Sequence, residues 1–415
     1  THRITSILKN KNFQTPKFIY RNYILLSSSK FFQTSIMIYV VVFFTATGLS
    51  NIVPALPLYA QELGASNLMI GGLISGFGLA RALTNIPSGM LADRVNQKNL
   101  MQAGLFIIIV SSIAAAYVNS YYLLLLCRII EGVGSSLLMV SASTVLNSIA
   151  PANKRGQTMS YFTASILIGV IFGPSLGGIV IPLFGKGSPF LLYALMAFVG
   201  IIITSLFIKI QHYPTNEKRT FGLDVLKNRS IIIISLATFA FAFSWTGLEL
   251  TVIPIFAYEL LNLTPLDLGF AIGIAAASNL CCTILAGRLT DSLGRKKPII
   301  ISLLFTGIVS LLFSLSDSMS SFTLLMVFFG FASGLWGQTQ AWVADLTPKK
   351  QLGSVLGYNR TMGDMGFVAG PLILGYLSST DSQAIISSTP FYFNAAVLIV
   401  IAALLFFAKD SIKKT

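Results

Sequence analysis

Apolar residues gather into twelve runs, at about 36–60, 68–91, 99–118, 121–149, 157–182, 189–208, 230–260, 267–290, 298–316, 321–345, 354–377 and 391–408, with short polar turns between them. The hydrocarbon core of a bilayer, about 30 Å thick, takes roughly 20 consecutive apolar residues to cross as a helix. Several runs exceed what a soluble core helix needs, and all but the last carry glycine, which membrane bundles tolerate. The pattern predicts an all-α membrane protein with 12 transmembrane helices. Composition agrees: 54% of the 415 residues are hydrophobic and 10% charged, with a mean hydropathy of +0.78, whereas soluble domains run nearer a quarter charged.

The runs also repeat. Gly89, Asp93 and Lys98, in the stretch 88–98, reappear as Gly287, Asp291 and Lys296 in 286–296, at an offset of 198. Pro57 through Leu63 is echoed by Pro254 through Leu260, Pro151 and Gly156 by Pro348 and Gly353, and Gly173-Pro174 by Gly370-Pro371, each at 197. An offset constant within one residue over a whole half predicts two six-helix halves, 35–209 and 229–409, joined by a cytoplasmic linker at 210–228. A basic cytoplasmic tail, 1–34, precedes them and a short tail, 410–415, follows. Two such halves enclose a site at their interface near the bilayer midplane.

The net charge of +14 raises nucleic acid as a partner, but the placement of the bases argues otherwise. Going round the connections, Lys and Arg collect on one side: the first tail, 92–98, Lys154–Arg155, 209–229, Arg295–Lys297, Lys349–Lys350 and the last tail. The other side has Lys186 as its only base, with Glu62, Glu259, Asp267, Asp317 and Asp381. That is the positive-inside pattern, so both termini are expected in the cytoplasm and no nucleic acid is expected. Cys127, Cys281 and Cys282 fall within apolar runs and read as small buried residues. His2 and His212 lie in a tail and the linker, so no histidine metal site can form in the membrane.

Two halves of six helices, with the doubled turn Gly-x-x-x-Asp and its following bases, resemble the major facilitator superfamily over all but the N-terminal tail. The second copy keeps Gly287, Asp291, Gly294, Arg295 and Lys296. The first keeps Gly89, Asp93, Arg94 and Lys98 but has Asn96 where the family has glycine, and Asn tolerates the left-handed conformation better than other non-glycine residues. An anion at a helix C-terminus sits against the dipole, so each aspartate should seek a neighbouring helix N-terminus or an arginine. The resemblance implies a latch that closes the cytoplasmic side across the halves; a plain topogenic basic turn is the alternative.

In the fifth run, Gly169, Gly173, Pro174, Gly177 and Gly178 make a flat face that admits a close neighbour, with a proline that removes a backbone bond. The eleventh repeats it at Gly366, Gly370, Pro371 and Gly375. Simple helix packing accounts for such a face; it also resembles the family's fifth-helix antiporter motif. In the fourth run Arg128 and Glu131 share a helix face, and the family carries Gln where Glu131 stands. Either they are a self-satisfied packing pair, or Glu131 adds a titratable group that favours proton handling.

Ionisable groups inside a bilayer are costly and mark function by default. Glu249 lies mid-run in the seventh helix beside Trp245, with no base within one turn. Arg360 and Asp364 are four apart in the eleventh, and Arg81 lies about 18 Å up the second helix from Asp93. The resemblance places all of these on or beside helices that line the central cavity. Glu249 and Asp364 are the leading proton sites, since a proton and a cationic substrate can compete for one desolvated carboxylate; a fixed Asp364–Arg360 pair is the alternative. Asn51, Trp336, Gln338, Gln340, Phe241 and Phe243 are weaker cavity candidates.

The resemblance, most like the drug:proton antiporter branch, implies a secondary active transporter. It would export a small amphipathic, drug-like molecule in exchange for protons by alternating access. A proton symporter or facilitator for a nutrient such as a sugar or organic acid is the alternative. A non-transporting sensor is a third reading, against which the linker and tail are short. No Ser-His or Cys-His set, HExxH helix or nucleotide loop is present, so the chain is expected not to be an enzyme. No cofactor or metal is expected beyond the proton gradient. The expected partners are substrate, protons and lipid, with the protein a monomer in the cell membrane.

Overall fold

The computed structural model describes residues 17–151, 154–208, 228–348, 351–379 and 388–410, with side chains from Phe31 onward apart from those of 93, 287–289, 291–292 and 352–354. Every apolar run forms a helical span. The first half contains Lys17–Ser50 with Ala55–Glu62, then Asn67–Arg94, Gln97–Ala116, Tyr121–Ile149, Arg155–Phe184 and Ser188–Phe207. The second contains Arg229–Ser244 continuing through Trp245–Val252 into Ile253–Glu259, then Pro265–Leu293, Lys296–Phe313, Met319–Ser333 with Trp336–Asp345, Leu352–Ser378 and Thr389–Leu405. Ten of these spans are long and apolar enough to cross a membrane; the eleventh carries Arg360 and Asp364, and the twelfth is 17 residues long. The chain is an all-α membrane protein of twelve spans. The first helix begins at Lys17, inside the stretch 1–34 expected to be a tail.

Two spans expected to be uniform are interrupted and a third changes its winding. Pro54 has no N–H to offer the Ser50 carbonyl, which accepts from Val53 N at 3.2 Å instead, and the first helix breaks at 51–54. In the tenth span Gly334 breaks the helix where it passes the eighth; a Cβ there would meet Cys282 Cβ at 2.6 Å. In the seventh, Trp245–Val252 widens into a π-helix, and the Thr251 hydroxyl donates to the Thr246 carbonyl five residues back at 2.9 Å. Surplus residues of this kind gather at functional positions.

Packing repeats between the halves. The first span packs on the fifth and sixth as the seventh does on the eleventh and twelfth, and the second on the fourth as the eighth on the tenth. The halves meet where the second span lies on the eleventh and the fifth on the eighth. Glycines set these approaches. Cβ atoms at Gly169 and Gly173 would strike the backbone of Phe43 and Thr47, and at Gly177 that of Asn51, all in the first span; Gly366 and Gly370 stand the same way against Phe239, Phe243 and Gly247 of the seventh. Gly178 and Gly375, an offset of 197 apart, face the other half, at Pro265–Leu266 and Asn67–Leu68. The glycine-proline motif is therefore a packing face in both halves, whatever else it does. Gly370→Ala is expected to destabilise the protein by about 1–3 kcal/mol through overpacking, because its Cβ would meet Gly247 N at 3.1 Å. Gly89→Ala, with only Val140 Cγ1 at 4.0 Å, should melt like the parent in the same detergent.

Candidate functional site

The intramembrane charges form one connected belt. At its N-terminal end Arg128 pairs with Glu131, and Ser112 donates to Glu131 Oε1 at 2.7 Å. Glu131 is fully buried. The Arg128 guanidinium lies 4.6 Å over the Phe77 ring, and Arg81 approaches the same ring at 5.9 Å. Arg81 crosses to the other half, where its guanidinium stands 4.8 Å over Phe367 and 3.8 Å from Asp364 Oδ1. Phe367 lies edge-on to Trp245 at 6.0 Å, and Trp245 packs 5.6 Å from Trp336. Glu249, one turn past Trp245, has the Trp245 side chain as its hydrogen-bonding neighbour. Rings facing guanidinium groups keep a desolvated cation in an attractive field.

Several expectations change. Asp364 does not pair with Arg360, four residues back on its own helix; among the described residues its salt bridge is to Arg81 in the other half. Helix geometry turns both side chains to neighbouring faces, but the second span supplies a closer cation. Asn51 is no cavity residue: it is fully buried at the break in the first span, both side-chain polar atoms lack partners among the described residues, and Gly177 packs on its backbone. Phe241 and Phe243 are core residues, and Gln338 is taken by Arg295 Nη1 at 2.7 Å. Cys281, expected buried, is exposed. Glu249 itself is 4% exposed and has no ion pair among the described residues.

The basic turns are built differently in the two copies. Gly294 ends its helix at φ 78°, which favours glycine. Asn96 does not adopt the left-handed region: at φ −64° it caps the next helix, accepting from Lys98 N at 2.9 Å. Arg295 bonds Asp345 at 2.6 Å, Lys98 the Ser205 carbonyl at 2.9 Å and Lys296 the Phe406 carbonyl at 2.7 Å. All of these stay within one half. The side chains of Asp93 and Asp291, and Gly287, lie outside the described residues, while Arg94 is exposed.

Among the described residues, bonds between the halves lie at the opposite face and the midplane. Gln61 Nε2 donates to Glu259 Oε1 at 2.7 Å, and the Tyr258 hydroxyl to the Pro54 carbonyl, at the helix break, at 2.6 Å. Asn67, Ser75 and Ser175 donate to the carbonyls of Ser378, Val368 and Gly269. Arg81–Asp364 is the last such link; among the described residues no hydrogen bond or salt bridge joins the halves between that pair and the basic face. The arrangement is closed at the face away from the basic turns. Sequence reasoning missed Phe77, Phe367, Ser112 and Tyr258, because rings and hydroxyls are common in apolar runs and only their partners single them out.

Comparison with known proteins follows the same lines. The sequence profile of the Major Facilitator Superfamily matches residues 38–280 and 234–415. An uncharacterized MFS-type transporter of Methanocaldococcus jannaschii is 28% identical over 364 residues, covering 82% of this chain and 90% of its own. The multi-drug resistance efflux pump PmrA of Streptococcus pneumoniae serotype 4 is 26% identical, covering 80% and 85%, and the quinolone resistance protein NorA of Staphylococcus aureus strain Mu50 25%, covering 84% and 90%. Among solved structures, a bacterial homologue of the lysosomal transporter Spinster, inward-facing and occupied, superposes with a TM-score of 0.72 at 17% identity, covering 93% and 96%. The nucleoside transporter NupG gives 0.75 at 16%, covering 91% and 99%.

Proposed function

Since the chain belongs to the Major Facilitator Superfamily, we propose that this membrane transporter exports small amphipathic organic molecules in exchange for protons, by alternating access. One observation carries the reading: among the described residues the bonds between the halves lie at one face and the midplane, and the last of them is an ion pair within a belt of buried charge. Opening that face requires those bonds to part, and a proton arriving at a belt carboxylate changes the charge that holds them. Efflux pumps among the relatives support the direction.

The positive-inside rule puts the basic turns and both termini in the cytoplasm, so on this reading the face held by the described bonds is the outer one. The site then faces the compartment from which an exporter loads. Glu249 and Asp364 serve as the proton sites, with Arg128–Glu131 as an anchoring pair. The protein works as a monomer, the gradient being its only energy source. Everted vesicles with an imposed proton gradient test the proposal: members of a broad panel of amphipathic drugs are expected to discharge the gradient only when the protein is present. A panel with no active member counts against export.

A further inference from the structure

Arg81 is poorly satisfied for a guanidinium in the middle of a membrane span. It offers five N–H donors, yet among the described residues its one ionic partner is Asp364 at 3.8 Å, too long for a hydrogen bond, and its buried Nε has no partner. Both side chains of this pair keep some exposure, 27% and 19%, so the gap between them is reachable. Arg360 is near enough to act on Arg81 as a second cation, and among the described residues Asp364 is the carboxylate paired there. The Phe367 ring lies under the Arg81 guanidinium, and Trp245 and then Trp336 follow it in ring-to-ring contact.

We infer that Arg81 and Asp364 together form a substrate subsite for zwitterionic aromatic molecules, in which the ligand inserts into the loose pair. The ligand's carboxylate takes the planar fork of Arg81, a geometry that suits two parallel hydrogen bonds. Its ammonium takes the Asp364 carboxylate so released, and its ring lies along Phe367 and Trp245. No net charge is added to the site, and each ligand charge meets a protein charge, which offsets part of the cost of desolvating both. A proton on Asp364 and the ligand's ammonium exclude each other, which is the sense of coupling exchange requires. The inference rests on the export reading and names the substrate class of that site.

Three probes with one ring system separate the contributions: a piperazinyl quinolone carboxylic acid, its methyl ester, which keeps only the cation, and its N-acetyl derivative, which keeps only the anion. Binding to the purified full-length protein is read by probe fluorescence. The zwitterion is expected to bind about tenfold more tightly than either derivative, as one good charge-assisted bond would give. Arg81→Gln should bring the zwitterion down to the ester. Asp364→Asn should bring it down to the N-acetyl compound, and should tighten the N-acetyl compound itself several-fold, since Arg81 then has no competing carboxylate. That gain is measured without touching Arg81, so a poorly folded Arg81 variant does not decide the matter. Equal binding of the three probes to the parent, binding of none, or an unchanged preference in Arg81→Gln overturns the inference. If other drugs still discharge the vesicle gradient in that event, export stands and only the subsite falls.

Discussion

Vesicles carrying Glu249→Gln are expected to show no substrate-driven proton movement, at the level of vesicles without the protein, while the variant expresses and melts like the parent. Glu249 is buried, with no guanidinium or ammonium paired to it among the described residues and the Trp245 side chain as its hydrogen-bonding neighbour. Glutamine has the same shape and can accept from the same donor, so packing and hydrogen bonding survive; what it lacks is a proton to exchange. A charge buried without a partner is a poor stability device and a good functional candidate. The π-helical stretch that carries it supports the same reading, because π turns gather at functional positions. Retained coupling in Glu249→Gln would remove this residue from the mechanism and leave Asp364 as the remaining proton site.

The spans and their pairing were legible in the sequence because both follow from local pattern. Apolar length gives each helix, and the 197-residue offset carries the packing of the first span on the fifth over to the seventh on the eleventh. The breaks were less legible. Pro54 announces one, but Gly334 is one glycine among 34 and does not announce the other, and nothing in Trp-Thr-Gly-Leu-Glu marks a π turn. Partner choice was legible only within a helix. The three-residue spacing of Arg128 and Glu131 predicts their pair; the four-residue spacing of Arg360 and Asp364 suggests one that does not form, since Arg81 arrives from a helix some 280 residues earlier in the chain. The residue at 96 shows the same limit at a turn: Asn can take the place of a glycine by adopting its conformation or by doing different work, and here it caps the next helix.

Breaking the Arg128–Glu131 pair one side at a time is expected to give two unequal losses, and breaking both sides a smaller one than either. The pair lies in the fourth span with Glu131 fully buried and Arg128 4% exposed. Removing one member of such a pair leaves an uncompensated charge and costs about 3–5 kcal/mol, whereas replacing both by apolar groups of like volume is often near neutral. The two singles differ because their escape routes differ. A stranded carboxyl can take up a proton and become neutral, and Ser112 still donates to it at 2.7 Å. A stranded guanidinium keeps its charge and among the described residues retains the Phe77 ring, 4.6 Å away. Glu131→Met should therefore melt lowest, Arg128→Met next, and Arg128→Met/Glu131→Met closest to the parent, in detergent at neutral pH. If the pair is an anchor and not a proton site, the double variant also keeps gradient discharge. A double variant as unstable as the sum of the singles would mean that the two side chains act independently. Discharge lost at parental stability would instead move Glu131 from anchoring into proton transfer.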